Sequence, residues 1–284
     1  MIVVITGPTG VGKTKLSIML AKKYNGIVIN ADATQIYEYL NIGSAKIKEE
    51  EKEGIEHFLF DIRKPNENYS VCDYQKDLRL LLDKYKNRNI FIVGGTGLYL
   101  KSALYNYEFS NINEKNYDEF SNEELYAMVK EIDKDSDIHQ NNRVRLINFL
   151  NRGKTNNNGD KLVYPGTIFI GLTTDRETLY EKINRRVEEM FENGLVDEVQ
   201  ELYKKYGNVN ILKRAIGYKE VIMYLNNLIS KDECIELIRK NSRHYAKRQY
   251  TWFNNKMNIN WFETDFENFN NTYEQIVDYI KKYD

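Results

Sequence analysis

Short apolar runs at residues 2–5, 27–29, 58–60, 90–93 and 168–172 alternate along the chain with longer stretches of helical period. Runs this short, bounded by polar or glycine-rich residues, predict strands, and their alternation with helices predicts a parallel sheet covered on both faces. The fold class that follows is α/β. The first four runs lead directly into residues 7–14, 30–35, 61–63 and 94–97. Ligands in such sheets sit beyond the C-terminal strand ends, so these four loops are expected to converge on one crevice.

Helix starts are signposted by capping-box spacing at Ser70/Asp73, Ser121/Glu124, Thr174/Glu177 and Ser230/Glu233. A helix over 175–193 would turn Leu179, Ile183, Val187 and Met190 toward the core. Between Tyr107 and Gly153 the composition becomes polar and acidic, with helices predicted over 122–131 and 142–150. We read this stretch as a small all-helical insertion domain, 107–153, within a core formed by 1–106 and 154–284. Asn156-Asn-Asn-Gly159 is expected to form a flexible turn where the chain returns to the sheet.

Composition narrows the picture. The 284 residues suffice for an α/β core with one appendage. With 41 Lys+Arg against 42 Asp+Glu the net charge is −1, so nucleic-acid binding would have to come from local clustering. Cys72 and Cys234 stand far apart, as expected of two buried thiols in a reducing cytoplasm, and no Cys/His spacing suggests a metal site. No apolar run approaches membrane-spanning length. The expectation is a cytoplasmic protein that uses no membrane, and a monomer, since one chain carries a whole site.

The chemistry begins at Gly7-Pro-Thr-Gly-Val-Gly-Lys-Thr14, which follows the first apolar run and fits the phosphate-loop pattern. In such a loop Gly7, Pro8, Thr9, Gly10, Val11 and Gly12 turn backbone N–H groups onto an anion, the following helix adds partial positive charge, Lys13 supplies an ammonium and Thr14 a magnesium-reaching hydroxyl. The sheet is therefore expected to be P-loop NTPase-like. Asp32 falls at the end of the second strand, where it would hold a magnesium shell, take a proton from a nucleophile, or cap the next helix. Lys46 either reaches the phosphates or is simply exposed. The second glycine-rich turn, Gly94-Gly-Thr-Gly97, leaves the Thr96 hydroxyl unobstructed for a phosphate or an acceptor. Arg185 and Arg186 flank the apolar stripe of their helix; Arg186 would lean into the crevice to clamp a departing pyrophosphate, or stay in solvent.

From Leu237 to Phe262 no residue is acidic, while Arg239, Lys240, Arg243, Lys247, Arg248 and Lys256 are basic. Ile235, Ile238, Ser242, Tyr245, Gln249 and Trp252 would form the buried stripe of that helix. Most basic residues would then be exposed for phosphate backbones, with His244, Tyr250 and Phe253 offering rings for bases.

Taken in order, Gly7–Thr14, Asn30-Ala-Asp-Ala-Thr-Gln-Ile-Tyr37, Asn41-Ile-Gly-Ser-Ala-Lys46, Tyr69-Ser70, Gly94-Gly-Thr-Gly-Leu-Tyr-Leu100, Ala215-Ile-Gly-Tyr-Lys-Glu220 and Ala246-Lys-Arg-Gln-Tyr-Thr-Trp-Phe253 resemble the tRNA dimethylallyltransferases. The resemblance covers most of the chain outside the helical insertion. It implies transfer of a dimethylallyl group from dimethylallyl diphosphate to N6 of the adenosine 3′ of the tRNA anticodon, with Mg2+ bound through Thr14 and pyrophosphate released. It makes Asp32 the general base, Thr96 a support for acceptor and diphosphate, and Arg186 the stabiliser of the leaving group. The tRNA anticodon stem-loop would lie on Asp32, Ala33, Thr34, Gln35, Arg143, Arg145, Arg243, Lys247, Arg248, Gln249 and Trp252. The chain departs from the family at Ala33, where serine is common, and at Val144 and Asn148, where arginines are expected after an HPN-like segment. Three rival readings are a small-molecule kinase, an adenylate isopentenyltransferase acting on free nucleotides, and a non-catalytic RNA-binding module switched by nucleotide. The first lacks an arginine-bearing lid signal, the second has no need of Lys247-Arg248, and the third leaves Asp32 and Thr96 without work.

Overall fold

A computed structural model describes residues 1–109, 116–152 and 158–283. In chain order the elements are β1 (Ile2–Thr6), α1 (Lys13–Lys23), β2 (Ile27–Asn30), β3 (His57–Phe58), α2 (Val71–Lys84), β4 (Ile90–Val93), α3 (Gly97–Leu104), β5 (Tyr105–Tyr107), α4 (Asn122–Ile132) and α5 (Arg143–Arg152). They continue as β6 (Asn158–Leu162), β7 (Ile168–Thr173), α6 (Arg176–Glu192), α7 (Leu195–Tyr206), α8 (Asn210–Arg214), α9 (Tyr218–Leu225), α10 (Lys231–Lys256), β8 (Asn260–Glu263) and α11 (Phe269–Ile280).

The chain divides into two compact units, Met1–Lys101 with Tyr164–Asp284, and Ser102–Val163. The first unit holds a six-stranded sheet in the order β3-β2-β4-β1-β7-β8, parallel throughout. Val3, Val4, Ile5, Phe91 and Ile170 are fully buried, as strands covered on both faces require. From β1 the chain crosses to β2 on one side, and from β4 to β7 on the other. The order therefore reverses between β1 and β4, and that is where a crevice opens beyond the strand ends. Thr6, itself buried, closes the base of this crevice by donating its hydroxyl to the Gly94 carbonyl at 2.9 Å.

The sixth strand, β8, is not signalled in the sequence, because its four residues are polar at both ends. Beyond it the buried Thr264 donates its hydroxyl to the Val11 carbonyl at 3.0 Å, and the Phe269 ring lies against Gly12. Ile276, Val277 and Ile280 of α11 share a core with Leu16 and Leu20 of α1.

Other expectations need correction. β3 stops at Phe58 instead of reaching residue 60, because Leu59 and Asp61 take left-handed conformations (φ 62° and 53°). The capping boxes at Ser70, Ser121 and Ser230 form, but α6 is capped by Asp175, whose carboxylate accepts the Thr178 N–H, and not by Thr174. In α10 the buried residues are Cys234, Ile238, Ala246, Gln249 and Phe253; Ile235, Ser242, Tyr245 and Trp252 are only half-buried. The helix packs on both α6 and α9, so its covered face is wider than a single stripe. Cys234 is buried, whereas Cys72 is half-buried.

The second unit extends beyond the expected 107–153 because β5 and β6 pair antiparallel at its ends. It is thus not all-helical. Asn158 and Gly159, expected in a turn, begin β6; Asn156 and Asn157 lie outside the described residues. Leu125 and Val129 of α4 meet Leu146 of α5 in a small core of its own. Among the described residues no helix is long and apolar enough to cross a membrane.

Candidate active site

Three of the four strand-end loops meet around a cavity of about 620 Å3 in the first unit. The fourth, residues 61–63, turns away with the left-handed bend at Leu59. Its Asp61 instead accepts from Lys46, whose ammonium also donates to the Tyr37 carbonyl at 2.7 Å. Lys46 is therefore neither exposed nor near the phosphate loop: it is a buried brace with 4% of its side chain accessible.

The phosphate loop follows β1 and passes through positive φ at Gly7, Gly10 and Gly12 (136°, 87° and 92°), a path open to glycine at little cost. Gly12 caps α1 without any side-chain hydrogen bond, leaving the first N–H groups of the helix free for an anion. Thr9, Gly10, Gly12, Lys13 and Thr14 line the cavity, while Val11 is wholly buried. The Lys13 ammonium folds back onto the Gly7 and Pro8 carbonyls at 3.0 and 2.7 Å.

Asp32 is held by its neighbours before it meets any ligand. The buried Asn30 accepts the Asp32 N–H at 2.9 Å and donates to the Leu59 and Asp32 carbonyls. Asp32 Oδ1 accepts the Thr34 N–H at 2.9 Å, and the turn is pinned to β4 because Gly94 leaves room for Ala31; a Cβ there would lie 2.2 Å from the Ala31 backbone. Thr34 and Gln35 line the cavity beside Asp32, and Ala33 does not. The Ala33 N–H instead donates to Thr96 Oγ1 at 3.0 Å, and Thr96 also bonds the Tyr245 phenol. The Thr96 hydroxyl is thus engaged, not unobstructed, because the two strand-end turns are stitched together through it. The Asn30 clamp was within the quoted motif but carried no assigned role; its position as the last residue of a buried strand was the available signal.

Arg186 crosses from α6 to the phosphate loop. Its guanidinium donates to Thr9 Oγ1 and, at 3.3 Å, to the Ser44 carbonyl. Burial, then the Arg186 charge, push the Lys13 ammonium down to about 8 against the pull of Asp32. Arg186 is itself held below its ordinary value by burial, with Asp32 opposing. Lys13 and Arg186 thus face the single carboxylate of Asp32, and Arg214, Lys219 and Arg248 also line the cavity, an excess of positive charge that favours an anionic ligand. Linkage gives the sign: an anion prefers protonated Lys13, so affinity for inorganic pyrophosphate will hold below about pH 8 and weaken above it, by up to about tenfold per pH unit. Calorimetry of wild type against Lys13→Met isolates this slope; the same slope in both would remove Lys13 as its source.

Ile183, Val187, Met190 and Ile238 give the cavity an apolar side. Its far wall comes from α10, where Tyr245, Arg248 and Gln249 reach in. Gln249 donates to the Gly95 carbonyl at 3.0 Å, and the Arg248 guanidinium lies 5.6 Å from the Tyr245 ring centre. Lys247, Arg248 and the half-buried Trp252 edge an open groove with His244, Thr251, Asn255 and Lys256. Of the three rings expected to meet bases only His244 is exposed. Phe253 is fully buried, and Tyr250 bonds Thr173 and packs on Trp261, because both belong to the wider buried face of α10.

Other predicted contacts are engaged elsewhere. Arg239 pairs with Glu188 and Glu236, and Arg243 donates to Asn184 at 2.7 Å. In the second unit Arg143 donates to the Phe120 and Tyr117 carbonyls at 2.6 and 2.7 Å, bracing the start of α4, while Arg145 and Val144 are exposed.

The family model described as IPP transferase matches residues 35–256, a span that starts after the phosphate loop. A curated relative from Anoxybacillus flavithermus, named tRNA dimethylallyltransferase, is 44% identical across 99% of this chain and 96% of its own. The like-named protein of Clostridioides difficile is 39% identical, covering 99% and 97%. The crystal structure of a tRNA delta(2)-isopentenylpyrophosphate transferase from Staphylococcus epidermidis matches with a TM-score of 0.78 at 36% identity, over 100% of this chain and 99% of that one. A eukaryotic dimethylallyltransferase described as acting on tRNA matches at 0.83 with 27% identity, over 99% and 79%.

Proposed function

The chain belongs to the IPP transferase family, and from that premise we propose that it moves a dimethylallyl group from dimethylallyl diphosphate to N6 of the adenosine 3′-adjacent to a tRNA anticodon. The observation that carries this reading is the single cavity lined by Lys13, Arg186 and the open start of α1 on one side and by Asp32 on the other. One end suits a diphosphate, the apolar side suits a five-carbon chain, and the carboxylate suits an N–H acid.

The adenine amine is a weak nucleophile because its lone pair is delocalised into the ring. As N6 bonds to the allylic carbon, the carbon–oxygen bond to the diphosphate breaks and the N6 proton passes to Asp32. Negative charge grows on the pyrophosphate, where Lys13, Arg186 and the loop N–H groups stabilise it. The acceptor base leaves its stack to enter the cavity. Thr96 acts by fixing the Asp32 turn.

A Mg2+ ion fits the donors present. The exposed Thr14 hydroxyl stands at the cavity, and the described residues hold no cluster of three or more His, Cys, Asp or Glu, which suits an ion that keeps its waters and binds substrate phosphates. It would neutralise phosphate charge there. We propose that the protein acts as a monomer, because the one cavity already combines the phosphate loop, Asp32 and Arg186.

Lys247 and Arg248 are proposed to hold the anticodon stem-loop through its phosphates. Replacing both with alanine will weaken tRNA binding and lower the slope of log K against log salt by about two. Filter binding across a salt series checks this; an unchanged slope would place the RNA elsewhere. The function itself is tested by incubating bulk tRNA with labelled dimethylallyl diphosphate or with γ-labelled ATP. Label entering RNA only from the first supports the proposal, and phosphate transfer from the second would favour the kinase.

A further inference from the structure

Glu198, on α7, makes no contact with the cavity yet collects four hydrogen bonds. Oε2 accepts the N–H groups of Asn41 and Ile42 at 3.0 and 2.8 Å. Oε1 accepts the Gly43 N–H at 3.2 Å and the Tyr218 phenol at 2.7 Å. Three consecutive backbone donors on one carboxylate make a charge-assisted clamp, added to the bonds the turn makes within itself from Ala45 N–H to the Ile42 carbonyl and from Lys46 N–H to the Asn41 carbonyl. The turn is closed from the other side too. Gly43 lies against the Tyr218 ring so tightly that a Cβ would come within 2.4 Å of it.

What the clamp holds is the next carbonyl. Ser44 O accepts from Arg186 at 3.3 Å and from Gln35 Nε2 at 3.0 Å, and Gly43, Ser44 and Ala45 line the cavity beside them. Arg186 has only two protein anchors among the described hydrogen bonds, Thr9 and Ser44. Thr9 belongs to the phosphate loop and stands where ligand oxygens would come. The Ser44 carbonyl is thus the anchor that a ligand leaves in place.

We propose that Glu198 is a positioning residue that aims Arg186 at the leaving pyrophosphate by fixing the 41–44 turn and its Ser44 carbonyl. This rests on the reading of the cavity as a diphosphate site, and it adds a remote carboxylate to the machinery of leaving-group stabilisation. A guanidinium binds phosphate oxygens through a planar fork, so a small rotation costs it one of two bonds.

Inorganic pyrophosphate binding, measured by calorimetry in wild-type and Arg186→Ala backgrounds, tests the coupling. Glu198→Ala is expected to weaken binding about tenfold in the wild-type background and less than about twofold beside Arg186→Ala, as for residues acting through one another. Glu198→Gln keeps the volume but turns an N–H2 toward backbone donors, and Gly43→Ala disturbs the same clamp from the turn and Tyr218 side with the Glu198 side chain retained; both should show the same dependence on Arg186. These two variants carry the test if Glu198→Ala melts. Equal losses in both backgrounds, or no loss in wild type, would overturn the proposal. Wild-type protein that binds pyrophosphate but prenylates no tRNA would sink the functional reading and leave this measurement standing.

Discussion

Asp32→Asn will lower prenyl transfer to tRNA by about a thousandfold, the loss expected when a positioned proton acceptor disappears. Asparagine is the informative replacement because Asp32 also holds its own turn. Its Oδ1 accepts the Thr34 N–H, and an amide oxygen can take over that bond, whereas alanine would release the turn as well as the base. Tyr245 and Lys13 both feel the Asp32 charge, so removing that charge without moving the backbone isolates the electrostatic role. Steady-state kinetics with tRNA and dimethylallyl diphosphate, beside direct tRNA binding, provide the readout. The fall should lie in kcat, with tRNA affinity held within about twofold. An equal loss of binding would reduce Asp32 to a capping residue.

Arg186→Ala will reduce kcat by about two to three orders of magnitude, as removal of a donor to developing negative charge does at other preorganised sites. Arg186→Lys will recover little of it. The fork of Arg186 spans Thr9 and Ser44, two oxygens on different loops, and a lysine offers a single point charge that cannot hold both. The lysine variant should keep part of the pyrophosphate affinity, since net charge is preserved, while losing the rate. Restoration of wild-type kcat by lysine would show that charge alone is sufficient and that the fork is incidental.

The parts of this protein legible in its sequence are those written in contiguous residues. The phosphate loop, the Asp32 turn and the glycine-rich turn before α3 each occupy a strand end, and strand ends are visible as the limits of short apolar runs. Helical spacing set Arg185 and Arg186 beside the buried stripe and left Arg186 open between crevice and solvent; the contacts with Thr9 and the Ser44 carbonyl that decide it come from other loops. Contacts made by burial from several sides were not legible. Phe253 and Tyr250 read as surface rings because one helical stripe was assumed for α10, which is in fact covered by both α6 and α9. Lys46 read as a phosphate ligand or a solvent lysine because nothing local reveals that Asp61 bends back to meet it. Glu198 lay in an ordinary amphipathic helix, and its three backbone partners are more than 150 residues distant.

The phosphate loop depends on a support 253 residues further along the chain. Residues 7–14 take their shape against Thr264, which holds the Val11 carbonyl, and against Phe269, which fills the space beside Gly12. As the polypeptide leaves the ribosome from its N-terminus, those supports are still unsynthesised when the loop emerges. A nascent chain therefore carries residues 7–14 long before Thr264 and Phe269 exist to support them. Chains terminated before Thr264 would carry the motif without either support.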